Sequence, residues 1–120
     1  MTIAIYGLDK CDTCGKARKW LARHAVDHAF VDYREQRVAA EILKSWAQQL
    51  GGFDKLVNRT GMTWRNLPAA RRTPGSDAEW TLLIKEYPAL VRRPVVVLED
   101  GTVSVGFSDK LFAKLVGAAR

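Results

Sequence analysis

Apolar and polar positions along this chain change period several times, and each change marks an element. Thr2-Ile3-Ala4-Ile5-Tyr6 reads as a strand, and Gly7-Leu8-Asp9-Lys10 reads as a loop. From Gly15 the period lengthens. Ala17, Trp20, Leu21 and Ala25 recur at helical spacing with Arg18, Lys19 and Arg23 between them, which predicts an amphipathic helix of about three turns. His28-Ala29-Phe30-Val31-Asp32-Tyr33 is a second short strand. A strand, a helix and a strand, with about ten or more residues of crossover, fit a βαβ unit with parallel strands.

The middle is helical, from about Val38 to Tyr87. Ala39 to Leu50 carries Ala40, Leu43, Ala47 and Leu50 at helical spacing, and Gly51-Gly52 ends it. Phe53-Asp54-Lys55-Leu56-Val57 is a short helical piece. Met62 to Leu67 is short, with turn signals at Gly61 and Pro68, and Thr73-Pro74-Gly75-Ser76 is a loop. Glu79 to Tyr87 places Trp80, Leu83, Ile84 and Tyr87 on one side of a further helix, which Pro88 stops. The end returns to strands. Pro94-Val95-Val96-Val97-Leu98 is a continuous apolar run of the kind a doubly buried strand carries. Asp100-Gly101 is a two-residue hairpin signal, and Thr102 to Phe107 is the returning strand. Ser108 suits the N-cap of a last helix bearing Leu111, Phe112, Leu115 and Val116. The order is therefore βαβ, a helical insert, then ββα, an α/β arrangement. It is read as one domain over 1–120, with a core of 1–35 and 91–120 and an insert of about 36–90.

Composition narrows the class. With 120 residues, 48% of them apolar and 27% charged, the chain matches a globular domain able to bury its own core. Two cysteines are too few for a disulfide framework. The N-terminus has no basic region followed by a long apolar core, and no apolar stretch approaches a membrane span. The expectation is a cytoplasmic chain with no membrane partner, where a CxxC is catalytic or metal-binding rather than structural. The net charge is +6 and the pI about 9.6. Lysines and arginines are scattered, with no basic block and no aromatic–basic interleave. An anionic small ligand fits this better than nucleic acid, which is not expected as a partner.

Cys11-Asp12-Thr13-Cys14 lies where the first loop meets the first helix. A thiol there faces unpaired backbone N–H groups and the positive end of the helix dipole. Both favour the thiolate, the reactive form of cysteine, and Lys10 and Lys16 push the same way. Zinc is the rival reading, because Cys11, Cys14, His24 and His28 form a CxxC…HxxxH string with a gap of nine residues in the middle. That gap is shorter than the usual finger spacing of about twelve. A helix from Cys14 through His24 would separate them by roughly 15 Å, at about 1.5 Å per residue. A zinc bond of about 2 Å cannot close that distance, so no metal is expected.

CxxC after the first strand in this element order is the thioredoxin-like pattern. The chain resembles the ArsC/Spx family, arsenate-reductase-like proteins whose thioredoxin core is split by a helical segment, and within it the YffB-type branch. The residues that carry the resemblance are Tyr6-Gly7 with Cys11-Asp12-Thr13, then Lys16-Ala17-Arg18-Lys19-Trp20-Leu21, Asp32-Tyr33-Arg34, Asn58 through Leu67, Arg92-Arg93-Pro94 and Gly106-Phe107-Ser108-Asp109. The resemblance implies a thioredoxin-like mixed sheet with helices on both faces and a helical insertion. It implies a nucleophile at Cys11, an anion-binding arginine at Arg93 and a cis-proline at Pro94 facing the cysteine loop. Arsenate reductases of the family place three arginines around the anion. One matches Arg93, the first falls on Asn58 with Arg59 beside it, and the third falls on Gly106. Their upstream histidine falls on Gly7. These departures count against arsenate reduction, which is kept as an alternative.

The function expected is thiol–disulfide oxidoreduction, specifically glutathione-dependent thiol reduction. Cys11 and Cys14 would be catalytic, Cys14 either resolving the adduct on Cys11 or only tuning Cys11 while glutathione resolves it, and Arg93, Pro94, Arg59 and Asn58 would bind substrate. Glutathione, a small thiol or oxyanion, or a protein disulfide would be the partner, with no bound cofactor and a monomeric chain. The second reading is a redox-sensing regulator of the Spx kind, in which the CxxC is a switch and RNA polymerase is the partner. Trp20 and Trp80 are read as packing residues, Trp64 as core, and His24 and His28 as surface or loop histidines.

Overall fold

The computed structural model describes residues 3–119, so Thr2, the first residue of the strand predicted at the N-terminus, lies outside the described residues. Strands β1 (Ile3–Gly7), β2 (His28–Asp32), β3 (Val95–Val97) and β4 (Val103–Val105) form one sheet in the order β2-β1-β3-β4. β1 pairs parallel with β2, with Ile5 opposite Phe30. It pairs antiparallel with β3, with Ile5 opposite Val96, and β3 pairs antiparallel with β4. The mixed sheet with its helices is the thioredoxin-like α/β fold. The chain divides into two compact units, one running to Tyr33 and resuming at Arg93, the other Arg34–Arg92.

In the first unit, helices α1 (Asp12–Arg23) and α6 (Asp109–Ala119) pack on the sheet face that carries Ile3, Ile5, Val96 and Leu98. Ala17, Trp20 and Leu21 come from α1, and Phe112 and Val116 from α6. The Trp20 and Phe112 rings meet edge to face at 5.6 Å, a favoured aromatic geometry. Val95 and Val96 point to opposite faces and both are buried, which accounts for the unbroken apolar run of β3. The hairpin from β3 to β4 turns at Gly101, whose φ of 91° favours glycine. Asp100 Oδ1 accepts the Thr102 N–H at 2.9 Å in the same turn. Ser108 caps α6, its hydroxyl accepting the Leu111 N–H at 3.0 Å.

The second unit holds helices α2 (Ala40–Leu50), α3 (Phe53–Leu56), α4 (Met62–Arg65) and α5 (Asp77–Glu86), with single 3-10 turns at Ala69–Arg71 and Pro88–Leu90. α2 buries Trp46 beside Leu43 and Ala47, whereas Ala40 is exposed, so its inward stripe is rotated from the one the spacing predicted. Trp80 stacks between Phe53 and Trp64, at 5.8 and 6.0 Å. The two ends of the unit are tied together. Val57 bridges Val91, the Asn58 N–H donates to the Leu90 carbonyl at 2.8 Å, and the Arg92 N–H donates to the Leu56 carbonyl at 2.9 Å. Among the described residues no helix is long and apolar enough to cross a membrane.

Candidate active site

α1 begins at Asp12 rather than at Gly15, because Asp12 is favourable in a first turn and Cys11 takes the N-cap position. Cys11 has an extended backbone (φ −87°, ψ 124°), and its carbonyl accepts the Gly15 N–H at 3.0 Å. Its own N–H closes a turn onto the Leu8 carbonyl at 3.1 Å. The sulfur is therefore held where the first-turn N–H groups have no helical partner. Partial burial pushes the Cys11 thiol up. The Cys14 N–H, the Cys14 thiol and the Thr13 N–H as donors, together with the Arg93 charge, outweigh it, and the net result lies below the ordinary thiol value.

Cys14 is one turn on and is different in kind. It is buried, at 1% exposure. A Cβ added at Gly7 would overlap its sulfur, so the end of β1 has to be glycine for this thiol to fit. Burial pushes Cys14 up to about 11, against the donation it receives from the Leu8 N–H and with its own hydrogen bond to Cys11 adding to the rise. At neutral pH the pair is one activated sulfur and one protonated donor beside it.

Arg93 and Pro94 enter at the start of β3. The Arg93–Pro94 peptide bond is cis, and Pro94 is buried, its carbonyl accepting the Gly106 N–H at 2.9 Å. The half-buried Arg93 guanidinium acts on both thiols and hydrogen-bonds the Tyr33 side chain. Burial disfavours its charge, and Tyr33 and the two cysteines more than restore it. Tyr33 is 3% exposed, and burial pushes its phenol up to about 12 despite the adjacent Arg93 charge. Its N–H donates to the Gly7 carbonyl at 3.1 Å, and the preceding Asp32 accepts the Asp9 N–H at 3.0 Å. The end of β2 thus steadies the cysteine loop through Asp32 and meets Arg93 through Tyr33.

Cys11, Cys14, Arg93 and Pro94 share the first unit, while Asn58 and Arg59 belong to the insert. Asn58 Oδ1 accepts from the Thr60 N–H at 3.1 Å and from its hydroxyl at 2.9 Å, shaping a local turn. The Arg59 guanidinium lies 5.5 Å from the centroid of the Trp64 ring, and that ring is buried. His24 stacks on Trp20 at 3.7 Å with its Nδ1 2.8 Å from the Trp20 carbonyl, and His28 Nδ1 is 3.1 Å from the Val26 carbonyl. Among the described residues no group of three or more histidines, cysteines and acids is placed to hold a metal. Sequence reasoning assigned no role to Tyr33, Asp32 or the Gly7–Cys14 contact. One signal was available for Tyr33: it directly follows a parallel strand, and the carboxyl ends of such strands are where α/β sites gather.

The ArsC family pattern matches residues 6–115. A protein of uncharacterised role from Haemophilus influenzae is 37% identical over 108 residues, covering 90% of this chain and 93% of that one. The global transcriptional regulator Spx of Bacillus subtilis is 26% identical over 111 residues, covering 89% and 81%. Among solved structures, a YffB protein has a TM-score of 0.84 at 34% identity and covers 93% of this chain and 96% of its own. An arsenate reductase (ArsC) related protein from Brucella melitensis has a TM-score of 0.75 at 35% identity, covering 97% and 95%.

Proposed function

The chain belongs to the ArsC family, and from that premise we propose that it is a thiol–disulfide oxidoreductase working with glutathione. The observation that carries this is Cys11 at the N-cap of α1, its thiol lowered by first-turn donors, by Cys14 and by the Arg93 charge. The name of one similar protein, an arsenate reductase (ArsC) related protein, agrees with a reductase role.

In this reading the Cys11 thiolate attacks one sulfur of a disulfide. A Cys11–sulfur bond forms, the substrate S–S bond breaks, and the other half leaves as a thiolate that takes a proton from solvent. Cys14 then attacks the Cys11 sulfur, its proton passing to the departing substrate thiolate. The Cys11–Cys14 disulfide forms and the second substrate thiolate leaves. The substrate has gained two electrons and the protein has lost two. Two glutathione molecules, oxidised to their disulfide, restore both thiols. Arg93 holds a carboxylate of the substrate, a pairing suited to the guanidinium fork. Pro94 shapes the surface beside it, and Asn58 and Arg59 are assigned to substrate on the family's pattern.

The test is intact-mass measurement after exposure to oxidised glutathione. Wild type is expected to end as the internal disulfide, and Cys14→Ser to retain one glutathione on Cys11. No adduct on either protein would end the glutathione reading. A stable adduct on wild type would make Cys14 a tuning residue and not the resolving one.

A transcriptional regulator is the second reading, favoured by the likeness to Spx. Stoichiometric RNA polymerase in a pull-down, without disulfide turnover, would replace the enzyme reading with it. Arsenate turnover with glutathione would instead assign the oxyanion chemistry after which the family is named.

A further inference from the structure

We infer that Tyr33 is a positioning residue: its side chain holds the Arg93 guanidinium on the Cys11–Cys14 pair. The inference rests on the thiolate reading of Cys11 proposed above. Arginine has a long, flexible stem, and Arg93 is only half buried. A guanidinium free to swing into solvent would act on a nearby thiolate through high-dielectric, salt-screened water. Its effect on Cys11 therefore needs an anchor on the inner side of the stem.

Tyr33 supplies that anchor. Its ring is buried at 3% exposure, and a buried phenol needs a hydrogen-bond partner, which here is Arg93. Its backbone is fixed to the site from the other side, since the Tyr33 N–H donates to the carbonyl of Gly7, the residue against which Cys14 packs. One residue thus links the arginine to the wall behind the second thiol. Among the described residues, Cys14 and Arg93 are the titratable and charged groups that act most strongly on Cys11, and Tyr33 interacts with Arg93 and with both cysteines. Nothing in the family's arginine pattern or in the CxxC motif assigns Tyr33 this part.

The experiment is the rate of Cys11 alkylation by iodoacetamide against pH, on wild type, Tyr33→Phe, Arg93→Met and the double variant. Wild type is expected to titrate below the free-thiol value of about 8.5. Tyr33→Phe keeps the ring and loses the hydroxyl. Its midpoint is expected to rise by roughly half a unit to one unit, which is roughly three- to tenfold slower alkylation at about pH 6. In the Arg93→Met background the same change is expected to move the midpoint no further. A wild-type midpoint at or above about 8.5 overturns the thiolate reading, and Tyr33's role with it. A low wild-type midpoint that Tyr33→Phe leaves in place overturns the positioning role alone. So does a shift of undiminished size in the Arg93→Met background, which would mark Tyr33 as simply structural. If Tyr33→Phe fails to fold, the wild-type NMR spectrum of the Arg93 guanidinium decides. Hindered rotation of its terminal nitrogens supports the anchor, and free rotation overturns it.

Discussion

Cys14 and Tyr33 are buried acids whose protonated forms the fold keeps, and this gives alkaline stability a definite sign. Burial pushes Cys14 up to about 11, whereas an unfolded thiol ionises near about 8.5. Between those values the unfolded state has shed a proton that the folded state retains. Linkage then makes stability fall as pH rises through that window, while below it the stability is fully present. Tyr33, pushed up to about 12, extends the loss from about pH 10, where a free phenol ionises. Cys11 works the other way. Its lowered value adds stability above the free-thiol value, and that contribution is lost as pH falls through its folded value. Urea unfolding under reducing conditions at about pH 8 and about pH 10.5 is expected to show a smaller alkaline loss in Cys14→Ala than in wild type. Equal losses would mean that Cys14 is not held protonated by burial.

α5 shows how much of an element depends on groups that apolar periodicity does not count. The apolar stripe suggests a start near Glu79, yet the helix begins at Asp77. Ser76 is the reason: its hydroxyl accepts the Glu79 N–H at 3.2 Å, while Glu79 Oε2 accepts the Gly75 N–H at 2.7 Å. Ser76 satisfies one donor that the first turn leaves open, and Glu79 reaches back past the N-cap to fix the entry of the chain at Gly75. Ser76→Ala is expected to cost about 1 kcal/mol of unfolding free energy by chemical denaturation, with Ser76→Asp retaining most of it. A loss under a few tenths of a kcal/mol in Ser76→Ala would show that the cap contributes nothing to this helix. α1 also starts ahead of its apolar stripe, at Asp12, whose charge suits a first turn. At the other end of α2, Gly51 takes a φ of 100°, the left-handed stop that the Gly51-Gly52 pair announces in the sequence.

The whole chain carries a net charge of +6. A positive field raises the encounter rate of anionic substrates and leaves neutral ones unaffected. Salt weakens that field, because the Debye length shrinks to about 8 Å at about 0.15 M. Single-turnover oxidation of the reduced protein by glutathione disulfide, an anion, is therefore expected to slow as salt rises, while its oxidation by the uncharged hydroxyethyl disulfide, with no glutathione added, stays level. Parallel salt dependence for the two would place the effect on the protein and not on the encounter.

The α/β class, the order of elements and the cysteine at a helix start were all legible in the linear chain, because each depends on residues within a few turns of one another. Ile3 and Ile5 announce β1, the Val95–Val97 run announces β3, Asp100-Gly101 announces the hairpin, and the CxxC lies at the seam between loop and helix. The bonds that make those residues a site are not local. That Arg93 finds Tyr33, that Gly7 makes room for Cys14, and that one thiol is raised while its neighbour is lowered all depend on the placing of β1 between β2 and β3. Periodicity says which side of a residue faces inward. Only the packed sheet says what it meets there, and burial and charge at that meeting set the chemistry of each sulfur.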